Sequence, residues 1–284
     1  MTIGEGALDA APREGEPLLC FRDGHIAHVV LNRPAKLNAI DGVCLGLLRQ
    51  AVQDIEADDA VRAVVLSGAG RAFCAGADLD YVGAQMESAT EFAQFLAEWH
   101  GVFGGLERCS KPTIAAVHGV ALAGGLELTQ VCDVVVAAED ARFGDQHARF
   151  GLFPGGGSTQ RLPRLVGARR ARWLLLSGEH FTAADAYEFG MVNAVVPPAE
   201  LLTEALSKAG TLASLSRSAS TAIKRAALEG ADLTLVEGLQ RERELAVDHM
   251  LGVDARIGLA AFREKQSPIF SGLRESVGAP DGEG

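Results

Sequence analysis

Short apolar runs alternate along the chain with longer stretches of helical period. Residues 25–31 (HIAHVVL) are apolar and β-prone, and the turn-forming NRP behind them ends the run, which predicts a strand. Asp41 then has the character of a helix N-cap, because Leu45, Leu48, Val52 and Ile55 recur behind it at helical spacing. Three more short apolar runs, 62–67 (RAVVLS), 112–117 (PTIAAV) and 133–138 (DVVVAA), lie beside glycine-rich turns and helical stretches and read as buried strands. Strands alternating with helices imply an α/β architecture with largely parallel pairing. From about residue 198 the pattern changes. Residues 199–210, 211–229 and 234–264 are rich in Ala, Leu, Glu, Lys and Arg, which predicts a helical C-terminal segment with long apolar faces that pack on the core or on another subunit.

A chain of 284 residues has room for one large domain and a small appended one. The expected organisation is a loose N-terminal tail over 1–15, a core over 16–198, a helical segment over 199–272 and a flexible tail over 273–284. A formal net charge of −11 argues against a general nucleic-acid binder. It leaves room for an anionic small ligand, which needs only a few local cations or a helix N-terminus. The five cysteines are scattered, with no C-x-x-C pair, so a disulfide scaffold is not expected and a reducing compartment is favoured. The N-terminal MTIGEGALDAAPREGEP lacks the apolar run of a signal peptide, and no stretch of 18 apolar residues occurs. The expected location is the cytoplasm, away from membranes.

Several glycine-rich stretches fail as known signatures. Gly68-x-Gly70 continues to Phe73 where a dinucleotide fingerprint needs a third glycine, and GK[ST] is absent. Gly155-Gly156-Gly157-Ser158 does not complete G-x-S-x-G, because Gln160 stands in the last glycine's place. Neither HExxH nor any Cys/His cluster has metal-ligand spacing, so no metal site is expected.

Two loops carry more. Arg71-Ala72-Phe73-Cys74-Ala75-Gly76-Ala77-Asp78-Leu79 follows the 62–67 strand, and its small residues let the backbone approach a ligand and expose an N–H. His118 to Leu128 (HGVALAGGLEL) follows the 112–117 strand, and Gly124-Gly125 open a helix with Glu127 in its first turn. A helix N-terminus offers unpaired N–H donors suited to a developing oxyanion. Either loop alone reads more simply as tight packing after a strand, with an acid that complements a helix dipole. The two together, in this order, are far more specific.

Four blocks in order, LNRPAKLNAI (31–40), RAFCAGADL (71–79), HGVALAGGLELTQVCD (118–133) and FGDQHARFGLFPGGGSTQRL (143–162), resemble the crotonase (enoyl-CoA hydratase/isomerase) superfamily. The resemblance covers about residues 20–272. It implies a spiral of ββα units with a helical C-terminal trimerisation segment, assembled as a homotrimer or a dimer of trimers. It places the family's oxyanion hole on the N–H groups of Ala77 and Gly124 and its first catalytic glutamate on Glu127. Contacts to coenzyme A, which travels on the acyl thioester and is no separate cofactor, are implied near Arg33, Ala35, Lys36, Ala75, Ala77, Asp78, Leu79 and Gly124. The pattern departs at one place: where hydratases carry a second glutamate, this chain has His147, with Asp145 two residues before it. An imidazole titrates near neutrality and can take over the proton-donor half of the chemistry. The resemblance thus implies an enoyl-CoA hydratase-like lyase. Its alternatives are another crotonase-type reaction (isomerase, C–C hydrolase, decarboxylase) or a catalytically degenerate acyl-CoA binder. Met86, Phe92, Phe95 and Trp99, at helical spacing, are expected to line an acyl pocket or to belong to the core.

Overall fold

The computed structural model describes Gly4, Glu5 and residues 15–270. The two loose ends expected over 1–15 and 273–284 therefore lie, but for Gly4, Glu5 and Gly15, outside the described residues. In chain order the strands are β1 (Gly4–Glu5), β2 (Leu18–Asp23), β3 (Ile26–Leu31), β4 (Ala63–Gly68), β5 (Thr113–Val117), β6 (Val120–Leu122), β7 (Val134–Ala138), β8 (Arg142–Gly144), β9 (Phe181–Thr182) and β10 (Ala194–Val196). The helices are α1 (Gly42–Ala57), α2 (Leu79–Gln85), α3 (Ala89–Glu107), α4 (Gly124–Gln130), α5 (Ser158–Val166), α6 (Ala168–Ser177), α7 (Ala183–Glu188), α8 (Leu201–Ala213), α9 (Arg217–Gly230), α10 (Leu235–Met250) and α11 (Val253–Glu264).

The four strands read from apolar runs lie side by side at the centre of a seven-stranded sheet of order β1-β2-β3-β4-β5-β7-β10. From β3 to β10 every pairing is parallel. Their near-continuous apolar runs follow from that position, because both faces of a central parallel strand are covered. β2 pairs antiparallel with β3, Leu18 opposite Leu31 and Asp23 opposite Ile26. A second, three-stranded sheet, β6-β8-β9, holds the ends of the loops that matter below.

Asp41 caps α1, its side chain accepting from Cys44 N–H at 2.9 Å, and Leu45, Leu48 and Ile55 are buried in the core behind it. Each such buried leucine or isoleucine contributes roughly 1.5–3 kcal/mol. The C-terminal run 234–264 is two helices. Gly252, extended at φ −76° and ψ 176°, interrupts it, and glycine is a poor helix former. The chain divides into two compact units between Gly210 and Thr211. In the second, Ser216 caps α9, and its hydroxyl also donates to Asp254 at the start of α11 (2.6 Å). Among the described residues no helix is long and apolar enough to cross a membrane, and no group of three or more His, Cys, Asp or Glu is arranged to hold a metal.

Candidate active site

The loops after β4 and β5 are bound to each other as well as to the sheet. Cys74 N–H donates to Val120 O (3.0 Å) and Leu122 N–H to Cys74 O (3.0 Å), so the first loop runs as a short parallel neighbour of β6. On its other side the same loop bridges Ile40. Ile40 N–H donates to Gly76 O (2.8 Å) and Asp78 N–H to Ile40 O (2.9 Å). In a parallel bridge the two flanking residues make both bonds and the residue between them points its N–H the opposite way. Ala77 is that residue. Its N–H has no hydrogen bond among the described residues.

Gly124 N–H is equally unbonded, as the first residue of α4 with no carbonyl a turn before it. The preceding Ala123 is held at φ 48° and ψ −117°, a conformation that costs an alanine about 1–3 kcal/mol, with its N–H donating to Gly144 O at 2.9 Å. The two free N–H groups are close neighbours: a Cβ built on Gly124 would lie 3.3 Å from Ala77 N, and one built on Gly76 would lie 3.0 Å from Gly124 N. Gly76 also has φ +110°, so both room and backbone conformation require glycine there. An oxygen lodged against both amides would accept two hydrogen bonds without displacing one from the fold.

Glu127 lies one turn into α4 and is 2 % exposed. Its Oε1 accepts from Ser158 N–H at 3.1 Å. Its Oε2 lies against the Gly155–Gly157 turn so closely that a Cβ on Gly156 would be 2.0 Å away. Burial pushes its carboxyl up to about 7, with the Asp145 charge adding to the rise, while the Ser158 N–H and the neighbouring His147 restrain it. Arg161 steadies the turn: it donates to both oxygens of Glu107 (2.9 and 2.8 Å) and covers Gly157.

His147 begins a short 3-10 turn after β8. Its Nδ1 is 2.7 Å from Oδ1 of Asp145, which is wholly buried. An ionised carboxylate only accepts, so Nδ1 carries the proton and Nε2 remains for other work. Burial alone would lower the imidazole pKa. The hydrogen bond and charge of Asp145, joined by the charge of Glu127, outweigh it and hold the pKa above the ordinary value. Glu127 and His147 thus stand within reach of each other's charge, a carboxyl poised near neutrality beside an imidazole biased towards imidazolium.

The positions read as coenzyme A contacts fall in two groups. Ala77 and Gly124 belong to the pair of free amides, with half-buried Ala75 just before. Arg33, Ala35, Lys36 and Leu79 lie towards the surface, with Asp78 buried beside them. Arg33 is ion-paired with Asp41 (2.9 Å) and Asp78 (3.0 Å), and Lys36 with Asp80 (3.3 Å). Asp78 also caps α2, accepting from Asp80 N–H at 3.1 Å. The two cations are therefore shared with aspartates, while Leu79 is 70 % exposed. Of the aromatic run, Phe95 and Trp99 are buried in the core and Met86 is exposed. His118 makes a hydrogen bond between its Nε2 and Gly70 O (2.9 Å), the structural role its place suggests.

Sequence reasoning missed three supports. Asn38, buried and at φ 58°, donates to Ala69 O (2.8 Å) and Ala72 O (2.7 Å) and accepts from Arg33 N–H (2.9 Å), tying the first loop to the LNRPAKLNAI segment. Ser158 supplies the N–H to Glu127, and Asp145 acts as the holder of His147 rather than as a carboxylate in its own right. The run of three glycines before Ser158 was the available signal for the first of these last two, and D-x-H for the second.

Comparison with known proteins gives the chain a family. The profile "Enoyl-CoA hydratase/isomerase" matches residues 22–273. A probable enoyl-CoA hydratase of Rhizobium meliloti is 40% identical over 255 residues, covering 90% of this chain and 98% of the relative. The crotonyl-CoA hydratase of Syntrophomonas wolfei is 37% identical over 256 residues, with the same coverage. The crystal structure of an enoyl-CoA hydratase from Bacillus anthracis superposes with a TM-score of 0.86 at 34% identity, over 90% of this chain and 100% of that one. Both the α/β spiral and its C-terminal helices follow that structure. This chain belongs to the enoyl-CoA hydratase/isomerase, or crotonase, superfamily.

Proposed function

We propose that this protein adds water across the 2,3 double bond of an enoyl-CoA thioester, and removes it in the reverse direction, through an enolate whose oxygen is held by Ala77 N–H and Gly124 N–H. The observation that carries this reading is the pair of unbonded amides packed beside a buried carboxyl of raised pKa. Hydratases at 37–40% identity over nine-tenths of the chain support it.

With the thioester carbonyl between the two amides, charge arriving on its oxygen meets donors already in place, each worth roughly 3–4 kcal/mol to such a transition state. Ionised Glu127 takes a proton from water as the water oxygen bonds to C3. The C2=C3 electron pair moves onto the thioester oxygen. When the enolate collapses, imidazolium His147 delivers a proton to C2, with Asp145 holding the ring by Nδ1. The cycle leaves Glu127 protonated and His147 neutral, and exchange with solvent restores both. In dehydration the same two groups act in exchanged roles.

The exposed apolar side chains of the second unit, among them Val236, Leu239, Val247, Met250 and Phe262, support self-association into trimers or dimers of trimers. The cysteines, all unpaired, support a cytoplasmic location.

Hydration of crotonyl-CoA, followed as loss of the enoyl-thioester chromophore, tests the reading. Glu127→Gln is expected to lose at least about 100-fold in kcat and His147→Ala about 10- to 100-fold. Unchanged turnover in Glu127→Gln removes it as the base. Tight binding of CoA esters by calorimetry, with no turnover of any enoyl-CoA by the wild type, would instead establish an acyl-CoA binder.

A further inference from the structure

One buried donor in the site has no assigned partner, whereas Asp145 Oδ2, also unpartnered, is an acceptor. Trp99, on the inward face of α3, is 2 % exposed, and its indole Nε1 has no hydrogen-bond partner among the described residues. A buried N–H left unpaired costs about as much as a lost hydrogen bond, so a native position that keeps one points to an acceptor supplied from outside the chain.

The place of that N–H is well defined. A Cβ built on Gly156 would lie 2.6 Å from Trp99 Nε1 and 2.0 Å from Glu127 Oε2, so the nitrogen and the carboxylate oxygen both crowd Gly156 and are close enough to share one bonded partner. At its other edge the ring lies against the oxyanion amide: a Cβ on Gly124 would be 2.7 Å from Cζ2. Phe95 and Phe103, with ring centroids 5.7 and 4.8 Å away, fix the plane of the indole. An indole N–H only donates and an ionised carboxylate only accepts. A group that satisfies both at once must carry a hydrogen and a lone pair on one atom, as water and a hydroxyl do.

We propose that Trp99 touches the substrate, its indole N–H donating to the oxygen that enters or leaves at C3 while Glu127 takes or returns that oxygen's proton. The inference rests on the hydration reading and deepens it. One lone pair of the water is taken by Trp99 and one O–H by Glu127, which leaves the second lone pair free to face C3. In the reverse direction the same N–H steadies the departing hydroxyl. The site then distinguishes a 3-hydroxyacyl thioester from a saturated acyl thioester of the same length.

The chain has two tryptophans, and the other, Trp173, is exposed and bonded to Glu179. Trp173→Phe therefore leaves Trp99 as the sole indole emitter without touching the site. In that variant 3-hydroxybutyryl-CoA is expected to shift Trp99 emission to the red, and butyryl-CoA, which lacks the oxygen, to leave it in place. In parallel, Trp99→Phe keeps most of the ring volume and removes the N–H. It is expected to lower kcat for crotonyl-CoA about 10-fold with KM changed less than about 3-fold. Equal emission shifts with both esters overturn the proposal, as does wild-type kcat in Trp99→Phe. If Trp99→Phe does not fold, the emission comparison decides alone. A selective shift in a protein that hydrates no enoyl-CoA upholds the contact and refutes the hydratase reading. Hydration without a selective shift does the reverse.

Discussion

Glu127 is held in the fold at a cost that depends on pH, and Glu127→Gln exposes it. Burial raises the carboxyl from the ordinary 4.5 to about 7. A group whose folded pKa is raised contributes stability that is fully present below its unfolded value, here about 4.5, and is lost as pH rises through about 7. At about 1.4 kcal/mol for each tenfold in proton affinity, the loss over that window is about 3 kcal/mol. Glutamine has the same shape and does not titrate. It has its own cost, because one carboxylate oxygen becomes an NH₂ facing the Gly155–Gly157 turn, but that cost is constant with pH. The diagnostic quantity is therefore the slope: relative to the wild type, Glu127→Gln should gain about 3 kcal/mol between pH 4.5 and pH 8. Urea unfolding at fixed protein concentration across that range measures it. A stability difference flat above pH 5 would refute the reasoning, since Glu127 would then titrate as an ordinary carboxylate.

Three further outcomes are expected. Asp145→Asn removes a negative charge that raises both Glu127 and His147, so both limbs of a bell-shaped kcat profile should move to lower pH and kcat should fall about 10-fold or more; a profile that keeps its position separates Asp145 from the chemistry. Gly124→Ala places a methyl 2.7 Å from the Trp99 ring and 3.3 Å from Ala77 N, and should cost at least about 100-fold in hydration while CoA itself still binds by calorimetry. Asn38→Ala orphans the buried carbonyls of Ala69 and Ala72 and should lower stability by about 2–4 kcal/mol in urea unfolding; an unchanged midpoint would show that the loop holds itself.

How legible each element was follows from its length and burial. The strands β3, β4, β5 and β7 showed in the sequence because a central strand covered on both faces is apolar along nearly all its length. The three strands of the small sheet hold two or three residues each, too few for any period, and β2, half-buried, has an apolar run of only four residues before Arg22 and Asp23. Gly252 was readable as a helix breaker but stood inside a run of strong helix formers. At the site, Gly76, Gly124 and Gly125 were visible because a Cβ there would meet backbone or a ring. Glu127 and His147 were visible through the resemblance. Asp145 was noted only as the residue two before His147, because its bond to Nδ1 depends on how the turn after β8 folds back.

The sequence by itself determined the kinds of group available: small residues after two buried strands, an acid in a first helical turn, and an imidazole where the family resemblance implies a carboxylate. Those are local choices, set by sterics and side-chain chemistry within a few positions. Only the tertiary structure decided that Ala77 and Gly124 keep their N–H groups unbonded in one place, since that depends on which carbonyls of Ile40 and β6 pack alongside. It alone moved Glu127 towards neutral pH, because burial is a property of the whole surrounding core. It alone left the Trp99 N–H facing that carboxylate, an orientation set by α3 packing against a glycine turn 57 positions later.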